Sequence, residues 1–351
     1  MVATIVGRRS VIRLVVAGTA AAALSTRRSS AQSGMPGSSV YPVAVPLYQL
    51  QYVAMGRGFL RDEGLDFKLL QGGSGTKSRE ILAAGQADFA IGDVTHSLQL
   101  SNRGRRSRIL SAVDTRVTGG LLIRKDLYDS GLDDVRKVAS WLRPDGSKPI
   151  FGVSSLGGTS HVWADYFTDS MGIKDKFAWV GAGNVETMLG ALKTKQIDLL
   201  GASASMIQEA EIRGWGKNIF ALGAPENWDR MIGGNVPVTA NFTLQSTIDR
   251  DPAKVQAYVN ALYRAGQWIK TSSAAEIYGI VEPYVGSTSR DANLIEIEAY
   301  KSAADYDGII DDTSFKCGAK VWFRDMTGIK PIAREDAVAD VFIRAAKKKY
   351  G

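Results

Sequence analysis

The stretch from Leu70 to Asp93 reads LQGGSGTKSREILAAGQADFAIGD. It predicts a strand end, a glycine-rich turn, a short helix and a second strand. The turn contains three glycines, Gly72, Gly73 and Gly75, which permit positive φ and let the backbone approach a ligand closely. Ser74 or Thr76 can cap the helix, and Gly85 is suited to end it. Free amides at such a helix start attract anions.

The segments on both sides of this stretch alternate in the same way. We predict strands over Val43–Leu47, Leu65–Leu70, Phe89–Ile91 and Ser107–Val113, with helices over Leu50–Phe59 and Ser97–Ser101. Alternating strands and helices are typical of an α/β fold with a mainly parallel sheet. A charged stretch, Asp126–Arg143, reads as largely helical.

A related pattern follows in the second third of the chain. The apolar strand Pro149–Val153 leads into the turn SSLGGTS at residues 154–160 and then into a helix. Asn184 can cap a further helix over Val185–Lys195. We therefore predict two lobes built on one plan: residues 38–118 plus 240–351 form lobe 1, and residues 119–239 form lobe 2.

The first 31 residues are typical of an export signal that is cleaved near Ala31. Arg8 and Arg9 precede a short apolar run, Leu14–Leu24, and small residues follow it. That run is well short of the ~20 residues that span a bilayer. The paired arginines resemble a twin-arginine signal, and an uncleaved anchor is the alternative.

Charge and cysteine content exclude several classes of protein. The 351-residue chain carries a formal charge of +7, but residues 1–31 contain five arginines and no acid, so only +2 remains for the rest. The remaining sequence has no basic stripe with interleaved aromatic residues, which is the pattern that would indicate nucleic-acid binding. Cys317 is the single cysteine, so no internal disulfide can form.

The motifs of common catalytic sites are not met. In a P-loop, glycine directly precedes lysine, whereas Thr76 separates Gly75 from Lys77. The serine-rich turn lacks the spacing of a hydrolase nucleophile elbow. Two histidines, His96 and His161, and one distant cysteine make a closed zinc site improbable. We expect no enzyme activity, no metal and no cofactor.

Small polar residues instead collect after the predicted strands. In open α/β sheets, ligands bind beyond the carboxyl ends of the strands. The predicted ligand-binding residues are Tyr48, Gln49, Gly73, Ser74, Gly75, Thr76, Thr95 and His96 from lobe 1, with Ser155, Gly158, Thr159, Ser160 and Asn184 from lobe 2. Each turn could also be an ordinary helix cap. Trp163 could be core or a stacking platform, and Asp93 and Glu186 could hold an ammonium group or face solvent.

Two motifs resemble a known family. The run YVAMGRGFL at residues 52–60, followed by EGLDF at residues 63–67, is similar to the opening of extracytoplasmic solute-binding proteins of ABC importers. The run ILAAGQADF at residues 81–89 resembles the L-x-x-G-Q-x-D signature of their nitrate/sulfonate/taurine-type (NMT1/THI5-like) group. The usual D-L-K-G-K segment before the second-lobe strand is replaced by VASWL at residues 138–142, so contacts there cannot be transferred.

The resemblance implies a two-lobed periplasmic-binding-protein fold, type II-like, that closes on a small molecule. It implies a monomeric periplasmic receptor that captures a small organic anion, such as a sulfonate or carboxylate, and delivers it to an ABC transporter permease. A receptor of a TRAP-type transporter, an exported enzyme on the same fold and a sensor subunit are the alternatives.

Overall fold

The computed structural model describes residues 34–351, apart from the side chain of Met326. The predicted export signal lies outside these residues. The described chain contains ten strands: β1 Met35–Tyr41, β2 Leu65–Gln71, β3 Phe89–Asp93, β4 Ser107–Ala112, β5 Gly120–Arg124, β6 Ile150–Val153, β7 Ala178–Gly181, β8 Leu199–Ala202, β9 Gly216–Ala221 and β10 Thr239–Leu244.

Helices connect and cover these strands. They are α1 Gln49–Gly56, α2 Phe59–Asp62, α3 Gly75–Ala83, α4 Val94–Asn102, α5 Lys125–Asp129, α6 Val135–Ser140, α7 Thr159–Ser170, α8 Val185–Lys193, α9 Ala204–Ile212, α10 Pro225–Met231, α11 Gln245–Arg250, α12 Pro252–Thr271, α13 Ala274–Val281, α14 Arg290–Ala303, α15 Asp312–Trp322, α16 Arg334–Ala337 and α17 Val341–Tyr350. No helix within residues 34–351 combines the length and apolar character needed to cross a membrane.

The strands form two five-stranded sheets. The first has the order β2-β1-β3-β10-β4 and the second the order β7-β6-β8-β5-β9. In each sheet one strand runs against the other four: β10 in the first and β5 in the second. Both sheets are therefore mixed but mainly parallel, with helices in the connections, which confirms the predicted α/β class.

Two crossing segments join the sheets, residues 113–119 on the way out and residues 222–238 on the way back. Asp114 ties them together, because its Oδ1 accepts hydrogen bonds from the Val238 N–H at 2.8 Å and the Thr239 N–H at 2.9 Å. The Val236 N–H also donates to the Thr115 carbonyl at 2.8 Å. The connection is thus a paired, hydrogen-bonded structure.

Helices of the C-terminal part contact the surroundings of both sheets. Helix α12 packs with α1 and α17 beside the first sheet, while α14 packs against α9 and α15 against α7. Arg324, just after α15, lies 3.4 Å from the Asp165 carboxylate of α7. The last third of the chain therefore packs against elements that belong to both sheets.

Two sequence predictions about elements were wrong. No strand forms over Val43–Leu47; the first strand of the described chain is β1, which precedes it. Val43–Leu47 instead leads into a 3-10 helix, Pro46–Tyr48. Pro42 and Pro46 lack the N–H that a central strand must donate. The long helix predicted over Asp126–Arg143 is divided into α5 and α6, since Gly131 adopts a φ of 97° between them.

Candidate ligand-binding site

A cavity of about 120 Å³ lies between the two sheets. Its walls come from loops that follow strands of both sheets and from both crossing segments. Its larger or polar lining residues are Tyr48, Thr118, Ser154, Thr159, Ser160, Trp163, Met188, Ser203, Met206, Thr239 and Tyr300. The rest of the lining is apolar, and no Asp, Glu, Lys, Arg or His of the described chain belongs to the lining.

On the first-sheet side, the start of α3 reaches the cavity through Gly75. Ser74 caps this helix, because its hydroxyl accepts a hydrogen bond from the Lys77 N–H at 3.3 Å. A Cβ on Gly75 would lie 2.2 Å from Nε2 of His96. Glycine is therefore required here to seat the helix start against the buried His96 ring.

On the second-sheet side, the start of α7 carries Thr159 and Ser160 into the lining. The Ser160 hydroxyl accepts a hydrogen bond from the Ser154 N–H at 3.0 Å, and the two hydroxyls lie 3.1 Å apart. Trp163 follows one turn later and is 1% exposed. The serine-rich turn thus folds onto its own helix and presents its polar groups at the cavity wall.

Hydrogen bonds join the two sides across the cleft, and two of them involve α7 and the turn before it. Trp163 donates from Nε1 to Oδ2 of Asp93 at 3.2 Å, and the hydroxyls of Thr76 and Ser155 lie 3.3 Å apart. Both contacts pair a residue at or after the end of a first-sheet strand with a residue after a second-sheet strand. The two sides are therefore in direct polar contact beside the cavity.

Of the thirteen predicted ligand-binding residues, Tyr48, Gly75, Thr159 and Ser160 line the cavity. Thr76 and Ser155 form the cross-cleft contact described above. The structure brings these six residues together from turns that lie far apart in the sequence.

The other seven lie outside the cavity lining: Gln49, Gly73, Ser74, Thr95, His96, Gly158 and Asn184. Most have local structural roles. Ser74 caps α3, Asn184 caps α8 by accepting from the Thr187 N–H at 3.0 Å, and Gly158 is the N-cap of α7. Gly73 turns the chain with a φ of 84°, Thr95 donates its N–H to Asp93 at 2.8 Å, and Gln49 begins α1 in a buried position.

His96 is fully enclosed between α3 and the first sheet. Its two ring nitrogens are buried without a hydrogen-bond partner among the described residues. Burial, reinforced by the charge of Arg79, lowers the pKa of His96 to about 3, so the ring is neutral. Within the described chain, no group of three or more His, Cys, Asp or Glu side chains is placed to hold a metal ion.

The sequence did not identify several lining residues. Tyr300 comes from α14, where it has the spacing of an ordinary core residue, and Thr239 begins β10. Thr118 lies in the outgoing crossing segment beside Gly119, where a Cβ would come within 2.2 Å of the Ala202 carbonyl oxygen. The adjacent glycines 119 and 120 were the one sequence signal of a close approach at this position.

Three buried carboxyl groups stand directly behind the lining. Asp93 is 1% exposed, Asp114 1% and Glu296 0%. None of the three forms an ion pair with a described Lys, Arg or His; their partners are backbone N–H groups, hydroxyls and the Trp163 indole. Burial raises the pKa of all three, that of Asp114 to about 7 with a further contribution from Asp93.

Two mixed α/β sheets joined by two crossings, with a cavity between them, define the two-lobed fold of periplasmic binding proteins. Solved structures support this class. A nitrate-binding protein, NrtA from Synechocystis PCC 6803, matches with a TM-score of 0.67 and 15% identity over 90% of this chain and 89% of its own. The alkanesulfonate-binding protein SsuA from Xanthomonas axonopodis pv. citri, bound to MOPS, matches with a TM-score of 0.67 and 12% identity over 87% and 98%. The predicted fold class is thus confirmed.

The chain belongs to the NMT1-like family, whose family model matches residues 43–281. A curated relative, the putative binding protein YtlA of Bacillus subtilis, is 22% identical over 266 residues, which are 74% of this chain and 73% of that protein. The family resemblance seen in the sequence motifs is therefore confirmed.

One structural neighbour is an enzyme. The desulfurization enzyme DszB matches with a TM-score of 0.62 and 15% identity over 90% of this chain and the whole of its own. The two-lobed fold is therefore compatible with both ligand binding and catalysis. The residues that line the cavity must distinguish a receptor from an enzyme.

Proposed function

We propose that this protein is an extracytoplasmic solute receptor that captures a small organic molecule and delivers it to the permease of an ABC importer. The observation that carries the proposal is the cavity between the two lobes, which both lobes line and beside which they hydrogen-bond to each other. A solute that contacts both lobes favours the closed form, because only that form provides both sets of contacts. The names of the relatives, nitrate-binding, alkanesulfonate-binding and putative binding protein, support the same role.

The proposal includes the domain boundaries and location predicted from the sequence. Residues 38–118 with 240–351 would move as lobe 1 and residues 119–239 as lobe 2, with the crossings as the hinge. Export by residues 1–31 would place a monomeric receptor in the periplasm. Neighbours that are described as parts of ABC-type systems favour an ABC permease over a TRAP-type partner.

An exported enzyme is the second candidate, because DszB shares the fold. The cavity offers little for it. Within the described chain, its lining has no His, Cys, Asp, Glu or Lys to act as a nucleophile or a general base. Mass spectrometry of a bound solute after prolonged incubation distinguishes the two: an unchanged solute supports the receptor, and a converted one supports the enzyme.

The direct test is a pair of tryptophan variants. Thr159→Trp fills the cavity from the start of α7 and should abolish solute binding without unfolding the protein. Thr313→Trp places the same side chain at an exposed position in the first turn of α15 and should leave binding unchanged. Native mass spectrometry of gently purified protein reports the retained solute, and a thermal-shift assay reports the stabilisation by bound ligand. Equal retention by both variants would contradict the assigned cavity.

A further inference from the structure

Within residues 34–351, the ionisable side chains that hydrogen-bond to residues of the cavity lining are all carboxyl groups. The described chain places three carboxyl groups in the layer behind the lining and no lysine or arginine in the lining itself. A buried anion is stable in a protein when a basic group or several free donors compensate its charge. This cavity has the opposite electrostatic character, so the sign of the ligand's charge can be inferred from it.

Asp114 is tied to the lining by the shortest route. Its Oδ1 accepts the N–H groups of Val238 and Thr239, both of which line the cavity. Asp93 stands behind Trp163, whose indole N–H it accepts. Asp114, within the outgoing crossing segment, and Asp93, at the end of β3, thus each hydrogen-bond directly to residues of the cavity lining.

Glu296 approaches from the opposite side. Its Oε1 accepts the Leu47 N–H at 3.1 Å, and its Oε2 accepts the Ser203 hydroxyl at 2.8 Å and the Ser205 N–H at 2.7 Å. The start of α9, which could otherwise present amides to an anionic solute, is therefore already occupied by the protein's own carboxylate. The start of α9 is therefore not available to bind an anionic solute of the kind that the sequence predicted.

Three aromatic side chains stand among the apolar residues of the lining. Tyr48, Trp163 and Tyr300 all line the cavity and are 4%, 1% and 6% exposed. The Tyr48 hydroxyl takes part in none of the side-chain hydrogen bonds found within residues 34–351, so it remains free to contact a ligand. Aromatic faces attract cations through the ring quadrupole, and desolvation strengthens the attraction.

We propose that the cavity binds a small organic cation, an amine or quaternary ammonium compound, in preference to a sulfonate or carboxylate. This rests on the receptor function proposed above and specifies its ligand. The cavity has room for on the order of ten non-hydrogen atoms, taking ~10–15 Å³ for each water-sized group. A cation of this size would contact the aromatic side chains and lie one residue away from three carboxyl groups, whereas an anion would find no basic side chain in the lining, only hydroxyls and the amides at the starts of α3 and α7.

The test uses two sets of probes that are matched in shape and differ in charge. The first set is choline, its neutral isostere 3,3-dimethylbutan-1-ol and the anion 3,3-dimethylbutanoate; the second is benzylamine, benzyl alcohol and benzoate. Calorimetry with the full-length mature protein at pH 8 measures each affinity. We expect at least one cation to bind tenfold or more tightly than its neutral and anionic partners.

If an anion bound more strongly, or if a cation and its neutral isostere bound equally, the proposal that the ligand is a cation would be wrong. The proposed receptor function would not be affected by either result. Binding by none of the six would overturn the proposal as well. Native mass spectrometry then decides the receptor function separately, because a retained solute of other chemistry supports it and an empty protein that no solute mixture stabilises argues against it.

A charge-removing variant tests the cause. Asp114→Asn keeps an oxygen for both backbone N–H groups but removes the charge, and it should lower the affinity for the bound cation about tenfold while the neutral isostere is unaffected. Asp305→Asn is the matched control, because Asp305 also accepts two backbone N–H groups on one oxygen, but those of Asp307 and Gly308, which do not line the cavity. Equal effects of the two variants on the cation would contradict the proposal.

Discussion

Asp114 should make the folded protein less stable as the pH rises through neutrality. Its carboxyl is buried where the two crossing segments meet, and burial, with the nearby Asp93, raises its pKa from the ordinary 3.8 to about 7. Between these pH values the folded protein holds a proton that the unfolded chain has released. The free energy of unfolding therefore falls as the pH rises through this window.

The size of the effect follows from the two pKa values. A difference of about three pH units corresponds to about 4 kcal/mol, at ~1.4 kcal/mol per unit. Asparagine cannot ionise and keeps an acceptor for the Val238 and Thr239 N–H groups, although a neutral acceptor makes weaker bonds, by about 1 kcal/mol. Relative to the wild type, Asp114→Asn should change stability little below pH 4 and increase it by about 2–4 kcal/mol above pH 8.

Urea denaturation at several pH values from 3.5 to 9 measures this difference. Asp311→Asn provides a control of opposite sign, because the hydrogen bond from Ser314 lowers the pKa of the Asp311 carboxyl. That carboxylate adds stability above its unfolded pKa, so the control variant should lose stability as the pH rises. A difference between Asp114→Asn and wild type that does not change with pH would refute the reasoning.

Two further substitutions test the cleft itself. Gly75→Ala should cost about 1–3 kcal/mol and weaken solute binding, because the new methyl group meets the His96 ring; Gly190→Ala, with open space around it inside α8, should instead add ~0.5–1 kcal/mol. Glu296→Gln should cost about 1–3 kcal/mol by leaving a buried donor unpaired, whereas Glu298→Gln on the exposed face of the same helix should change stability by less than ~0.5 kcal/mol. Urea denaturation and thermal-shift assays measure all four.

The controls decide these two predictions. If Gly75→Ala bound solute as well as Gly190→Ala, the start of α3 would not form part of the site. If Glu296→Gln were as stable as Glu298→Gln, the carboxylate at the start of α9 would not hold the lobes in the arrangement described.

Local features of the fold could be read from the sequence. Strand β2, the glycine turn, helix α3 and strand β3 follow the predicted order, and Ser74 and Asn184 cap the helices expected of them. Each depends on residues within a few positions of one another. The misplaced first strand shows the limit, since two prolines changed the structure of a segment whose composition favoured a strand.

The candidate site depends on contacts between distant parts of the chain. Tyr300 and Thr239 reach the cavity only because the last third of the chain packs against both lobes and β10 returns to the first sheet. The spacing of residues along the sequence does not predict such long-range contacts. The buried carboxyl groups were equally hidden, because Asp114 and Glu296 stand in segments that read as an ordinary strand end and an ordinary helix.

The return of β10 has a consequence for the order in which a newly made chain can fold. All five strands of the second sheet leave the ribosome before β10, without which β4 has no strand partner in the first sheet. At about 5–20 residues per second, β4 waits roughly 7–26 seconds for that partner. The lobe encoded in the middle of the gene is therefore the one that can be completed first, and the lobe that begins the protein is finished last.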